Sequence, residues 1–283
     1  MKSAQLSEVN WKSYIRAALA IAKKDCIHFF RYPLNALFRV IEPIAWLTPV
    51  YFLGRSFAGP NGNAGFAAYT GTADYMSFIL VGAVLSSYIA SVFWGMGFSL
   101  KTEMDSGVLE SNWLTPVPRP LMLVGQTLAS LAITTVNSAG MLVLAWLLFG
   151  FHISGGVLAA ALTLVPMLIA LYGFGFAFAG LVLLMKEANT LVDVSNYIIS
   201  LLSGSQFPVG VLPRLLLPLS LAIPLTYGFD SIRAHLLGTT TLLPLGYELA
   251  ILVLFMCAMV PLGYLIFKRI EHHCKTLGTL SQH

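Results

Sequence analysis

Long apolar runs, broken by short polar ones, set the pattern of this chain. Stretches without Asp, Glu, Lys, Arg or His run from Tyr75 to Ser99, Leu121 to Phe151, Ile153 to Met185, Val194 to Pro213 and Leu249 to Phe267. A bilayer core about 30 Å thick needs roughly 20 apolar residues in a helix, so each run is a candidate span. The run from Ile153 to Met185 is longer than one crossing needs, about 50 Å at 1.5 Å per residue. Gly155 and Gly156 are therefore placed in the turn before it. A further span at about 36–57 contains Arg39 and Glu42. Three apart, these two can pair on one helix face, and Arg39 lies near enough to the span's start to snorkel to the interface. Six spans are expected, at about 36–57, 75–99, 121–149, 157–185, 191–207 and 245–267.

Three segments are not simple spans. In 10–32, Trp11, Tyr14, Ile15, Ala18, Leu19, Ala22, Cys26 and Phe29 recur at three and four, with Lys12, Arg16, Lys23 and Lys24 mostly off that stripe. This is the pattern of a helix lying in the cytoplasmic membrane interface, its basic residues matched to an anionic leaflet; a helix packed on a soluble partner is the alternative. The most polar stretch, 101–120, carries Glu103, Asp105 and Glu110 beside Trp113, Leu114 and Val117, and Pro116, Pro118 and Pro120 end any helix there. Acids around an exposed apolar pair suggest a docking knob for another protein. In 208–243, Pro208, Pro213, Pro218 and Pro224 rule out one straight helix, each interior proline costing about 3 kcal/mol. The chain is expected to leave the membrane near Phe207, then dip back or lie along the outer surface, with Asp230 and Arg233 close enough in sequence to pair. The fold class is thus an all-α integral membrane protein. It has six transmembrane helices, an N-terminal interfacial amphipathic helix and a re-entrant or outer helical segment before the last span. Residues 1–283 form a single membrane domain.

Composition supports lipid as the solvent. Of 283 residues, 57% are hydrophobic and 10% charged, against about 25% charged in soluble domains. The net charge of +4 is small, so the placement of the basic residues matters more. With the N-terminus in the cytoplasm, thirteen Lys and Arg fall inside and only Arg55, Arg214 and Arg233 outside. That bias puts both termini in the cytoplasm. Apolar sequence begins only near Leu34, unlike a secretory signal. No basic run with interleaved aromatics suggests a nucleic-acid surface. Cys26, Cys257 and Cys274 make no CxxC pair.

Chemistry-bearing motifs are few. GxxxxGK[ST], HExxH and GxSxG are absent from the sequence, so no catalytic residue, metal ligand or bound cofactor is expected in this chain. Leu201 to Gln206, LLSGSQ, faintly resembles an ABC ATPase signature, but it lies in an apolar span with no phosphate loop. Asp193, at the start of a span, is a candidate by position, although a helix N-terminus favours an acid for structural reasons alone.

Two patches are similar to the ABC-2 family of transporter permeases. The first is Glu103, Gly107, Leu109, Glu110, Leu114, Thr115, Pro116, Val117 and Arg119, with Met104-Asp105 standing where the family usually has Glu-Arg. The second is Gly204, Phe207, Pro208, Leu212 and Pro213, then Pro224, Leu225, Thr226, Tyr227 and Arg233. The order of segments is also similar over almost the whole chain. The resemblance implies two permease chains, identical or different, in a bacterial-type cytoplasmic (inner) membrane. Each docks a separate ABC ATPase that binds ATP and Mg. It makes 101–120 the coupling segment, with Glu103, Asp105, Gly107, Glu110, Trp113, Leu114, Pro116 and Arg119 as its site residues. It makes Gly204, Phe207, Pro208, Pro213, Pro224 and Tyr227 the marks of the outer segment. The family exports drugs, lipids or lipid-linked glycans, and low fixed charge favours a hydrophobic or amphipathic substrate. A membrane-embedded lipid-modifying enzyme would need clustered His, Asp or Glu at one membrane face. A stand-alone secondary transporter would prefer paired intramembrane charges and inverted repeats. The sequence offers neither pattern.

Overall fold

Proline, aspartate and glycine punctuate the helices. A computed structural model of the chain describes residues 11–57, 64–105, 119–150, 153, 155–185 and 189–276. Helix α1 (Trp11–Phe30) is followed by α2 (Pro33–Ser56), which opens on Pro33, where a fixed φ suits the first turn and the missing N–H costs nothing. A short α3 (Ala64–Thr70) precedes α4 (Tyr75–Phe93). Asp74 caps α4, its carboxylate accepting the Ser77 amide at 3.0 Å. The helix continues through one π-turn, Trp94–Phe98, into α5 (Ser99–Asp105). Then come α6 (Arg119–Phe149), α7 (Val157–Met185), α8 (Asn189–Leu202), a 3-10 turn (Val209–Val211), α9 (Leu217–Ala222), α10 (Pro224–Leu237) and α11 (Leu245–Thr276). Among the described residues there is no strand.

Five of these runs are long and apolar enough to cross a membrane: Ala36–Ser56, Tyr75–Glu103, Pro120–Phe149, Val157–Met185 and Leu245–Thr276. The chain is an all-α, multi-pass membrane protein. The segment expected as a span at 191–207 differs. Its helix, α8, has 14 residues and is about 21 Å long, short of a full bilayer core. It stops because Gly204 takes the left-handed conformation, φ 71°, which ends helices at little cost in glycine. The last helix runs past Phe267 to Thr276, so Lys268, Arg269 and Lys275 extend it rather than follow it.

Small residues close the seams. The most extensive helix pair is α7 with α11, and a Cβ on Gly263 would overlap the Gly173 carbonyl. A Cβ on Gly180 would lie 3.3 Å from the Phe267 Cα. Association within a bilayer gains no hydrophobic drive, so close backbone approach of this kind supplies the contact. Helix α1 lies along α6, where a Cβ on Gly125 would sit 2.8 Å from the Ala18 carbonyl oxygen. Ala18 is buried there, while Ile15 and Leu19 of the same apolar stripe stay exposed. The core itself gathers Leu80, Ile89 and Phe93 of α4 and Met96 of the π-turn with Met167 and Leu171 of α7, Phe229 of α10, and Leu252 and Phe267 of α11.

Candidate functional site

Helices α2 and α4 share two large cavities. One, of about 950 Å³, lies toward the α5 end of α4, between α1, α2, the π-turn and α6. The other, of about 880 Å³, lies toward the α3 end, between α2, α4, α8 and residues 205–211. Pro43, Trp46, Ser87 and Ala90 line both, so the two chambers meet at a common waist. Volumes of this order suit a drug-sized or lipid-sized molecule.

The chambers differ in chemistry. The chamber at the α5 end has Asp25, His28, Arg39 and Glu42 in its wall. The one at the α3 end has no Asp, Glu, Lys, Arg or His among the described residues, and is lined by aromatics such as Phe66, Tyr69, Tyr75, Tyr197 and Phe207. Trp46 at the waist is 72% exposed and Tyr197 75%. The expected Arg39–Glu42 pair does not form. The Arg39 guanidinium lies 5.4 Å from the centroid of the Phe29 ring, and both Arg39 and Glu42 are exposed. Ring and chain compete for the same cation, and the aromatic face of α1 takes it.

Beyond the chamber at the α3 end, one cation is buried. Arg233 of α10 is 3% exposed. Its Nε donates to the Phe78 carbonyl at 3.2 Å, one terminal nitrogen to Gly204 O at 2.7 Å and the other to Ser205 O at 2.6 Å. Its guanidinium carbon also sits 3.6 Å from the Phe78 ring centroid. The carbonyls at 204 and 205 belong to the turn that follows α8, and a planar fork of donors suits the two of them together. One side chain thus ties α10, the end of α8 and the start of α4 together. Gly82 completes the junction, since a Cβ there would overlap the Ser205 carbonyl and the guanidinium. The expected Asp230–Arg233 pair is replaced by separate bonds. Asp230 accepts the Leu242 amide at 2.6 Å and acts on Arg233 only through its field. Helix α10 lies outside the five spans. Burial lowers the Arg233 pKa to about 9 and Asp230 opposes it, so the side chain is charged at neutral pH. Burial raises the Asp230 carboxyl above its ordinary range, and the Leu242 amide pulls it back.

The other outer residues join this assembly. Gly204 ends α8, Phe207 and Pro208 line the chamber at the α3 end, and Pro213 accepts the Leu216 amide in a turn at 2.9 Å. Pro224 opens α10. Tyr227 donates to the Leu221 carbonyl at 2.9 Å, Thr226 to Ser220 O at 2.8 Å, and Ser220 to Leu202 O at 2.5 Å. These bonds fold α9 back against α10 and fasten both to α8. Glu248 of α11 is fully buried and accepts Ser231 Oγ at 2.6 Å and the Leu243 amide at 3.1 Å.

Most of the other patch falls elsewhere. Gly107, Glu110, Trp113, Leu114 and Pro116 lie outside the described residues, and Arg119 is the first residue of α6. Glu103 accepts the Gln126 amide at 3.4 Å, linking α5 to α6. Asp105 pairs with Lys101 one turn back at 2.9 Å. The sequence reading missed the cavity wall itself, chiefly Trp46, Trp94 and Tyr197. The Gly95-x-Gly97 pair was the available signal for the π-turn that carries Trp94 and Phe98, since such bulges recur at functional sites. Buried Ser86 Oγ of α4 and Asn196 Oδ1 of α8 have no hydrogen-bond partner among the described residues, and both residues line the chamber at the α3 end. Among the described residues, no group of three or more His, Cys, Asp or Glu could hold a metal ion.

Comparison with known proteins agrees with this architecture. The chain is 21% identical over 263 residues to the daunorubicin resistance ABC transporter permease protein DrrB1 of Streptomyces coeruleorubidus, covering 92% of this chain and 88% of that one. The sequence profile of the ABC-2 type transporter matches residues 16–237. The profile takes in α2 to α10, both cavities and the buried arginine, and the chain belongs to the ABC-2 type transporter family.

Proposed function

We propose that this chain is the permease subunit of an ATP-driven exporter of hydrophobic or amphipathic molecules, working as one of two permease chains with a separate ATPase docked on each. The observation that carries the reading is the pair of chambers that meet at Trp46 along α2 and α4. A path whose one half is polar and charged and whose other half is aromatic and uncharged suits an amphiphile that enters from one leaflet and leaves by the other. The daunorubicin resistance named for the relative favours a drug-like substrate over a glycan.

The chamber beside α1 and α5 faces the cytoplasm, both termini are cytoplasmic, and the membrane is the cytoplasmic one. The bent pair α9–α10 enters the outer leaflet and caps the chamber at the α3 end; its prolines and backbone bonds are satisfied by protein, as irregular backbone at membrane depth requires. The second permease chain closes the open side of the two chambers beside α2 and α8, leaving Trp46 and Tyr197 facing the path. ATP and Mg are held by the partner, whose closure is transmitted through 101–120 and α5.

Co-purification with the ATPase tests this reading. Wild type is expected to form a stable complex that hydrolyses ATP in lipid, and Trp113→Ala with Leu114→Ala to lose the complex or most of its substrate-stimulated turnover. Transport by the chain alone, with no ATPase bound, would overturn it.

A further inference from the structure

We propose that the chamber at the α5 end is a binding site for lipophilic organic cations, with Glu42 as the counter-charge and Trp46 and Trp94 as walls. The proposal deepens the export reading, on which it rests, by naming the substrate's headgroup chemistry.

Glu42 lies six residues into the span Ala36–Ser56, about 9 Å along the helix axis. A carboxylate at such a depth is costly and is kept where it has a partner or a task. No salt bridge or hydrogen bond engages Glu42 among the described residues, and its side chain is exposed in the chamber wall. The neighbouring charges are already engaged. Asp25 is held by Lys24 at 3.2 Å. Arg39 lies against the ring of Phe29, and His28 meets the edge of Tyr32 with centroids 5.7 Å apart. Glu42 is therefore the carboxylate left for a ligand.

The wall chemistry selects the cation. Trp46 stands one helical turn after Glu42, so both side chains share a face. Trp94 and Phe98 pack at 5.2 Å across the π-turn, in a lining shared with Phe29 of α1 and Tyr32, the residue before α2. Aromatic faces attract cations, and ringed cages are how proteins hold organic ammonium groups. Arg39 on Phe29 already shows a cation accommodated on this wall. An inorganic cation would need several strong ligands gathered together, and among the described residues no group of three or more His, Cys, Asp or Glu is gathered so. A volume of about 950 Å³ leaves room for an apolar body, which can extend through the waist into the uncharged aromatic chamber beyond.

The test uses the permease with its ATPase partner in neutral phosphatidylcholine nanodiscs, with tetraphenylphosphonium and its anionic isostere tetraphenylborate as probes. Binding is measured by equilibrium uptake and by quenching of tryptophan fluorescence. Wild type is expected to bind tetraphenylphosphonium saturably and tetraphenylborate at least tenfold more weakly. Glu42→Gln is expected to weaken the cation at least tenfold, Glu42→Asp less, and Trp46→Leu severalfold with no gain for the anion. Non-saturable uptake, equal binding of the two isosteres, or an unchanged affinity in Glu42→Gln overturns the site. Assembly with the ATPase is followed separately on the same wild-type sample. Cation binding without an assembled ATPase would remove the export reading and leave the site standing, whereas an assembled complex blind to the cation removes the site alone.

Discussion

The two ends of α4 handle charge in opposite ways. At its start, Arg233 is buried, and three backbone carbonyls and a ring surround it. At its far end, across the π-turn, Arg39 and Glu42 face an open chamber without pairing with one another. Both ends place charge in a chain with only 10% charged residues, and the contrast lies in what the charge meets. A guanidinium with all three nitrogens bonded to backbone is a fastener: it holds the turn after α8 and fixes α10 against α4. A carboxylate on a cavity wall with no partner fastens nothing, so its cost is balanced only when something else is bound. The first charge belongs to the stability of the fold, the second to its use.

The sharpest way to break this contrast is to remove the fastener. Arg233→Ala strips the charge and leaves the carbonyls of Phe78, Gly204 and Ser205 without that donor. Hydrogen bonds to a charged group are worth about 1.5–3 kcal/mol each, and the substitution removes all three at once. The expected outcome is a large drop in the melting temperature of the detergent-solubilised protein, or failure to purify as a single species. Arg233→Lys should recover only part of it, because an ammonium cannot keep three diverging bonds and a stacked ring at once. A melting temperature within about 2 °C of wild type for Arg233→Ala would mean that α8 and α10 are held by other means.

How much of this was legible in the sequence follows from range. The apolar runs gave helix existence, because hydrophobic length is a local property, and the starts of α2 and α10 could be read from Pro33 and Pro224. The fifth span could not. Val194 to Pro213 is apolar throughout, and hydropathy cannot see that Gly204 turns left-handed and stops α8. Pairing rules based on spacing failed at both charged sites for one reason: a residue three positions away competes with partners that folding brings from elsewhere. Phe29 took Arg39 from Glu42, and carbonyls at 78, 204 and 205 took Arg233 from Asp230. The residues of the outer segment were visible as a family pattern, but their common purpose was not, since the bond from Arg233 to Phe78 joins positions 155 apart in sequence.

A gentler perturbation compares two glycines on the same run of helix. At Gly82 an added Cβ overlaps the Ser205 carbonyl, which is backbone and cannot move without opening the junction. At Gly95 it meets Ser130 Oγ at 3.1 Å, a side chain held by one hydroxyl bond to the Gln126 carbonyl at 3.2 Å and able to give by a few tenths of an ångström. Overpacking typically costs about 1–3 kcal/mol, so Gly82→Ala should lower the melting temperature by several degrees. Gly95→Ala should shift it by about a degree or less. Equal shifts at the two positions would mean that the start of α4 is no more tightly held than its end.

The smallest effect is expected at Glu42, and its smallness is informative. Glu42→Gln removes a charge with no partner among the described residues and replaces it with an amide of nearly the same shape. No contact among the described residues is lost, and an acid at membrane depth is replaced by a neutral amide. The ligand-free melting temperature should therefore stay within about 1 °C of wild type or rise slightly. A bound ligand stabilises the state it binds by mass action, so saturating tetraphenylphosphonium should raise the melting temperature of wild type and not that of the variant. A large ligand-free loss in Glu42→Gln would instead make Glu42 a fastener like Arg233, with its partner supplied by the second permease chain, and the division between the two ends of α4 would fail there.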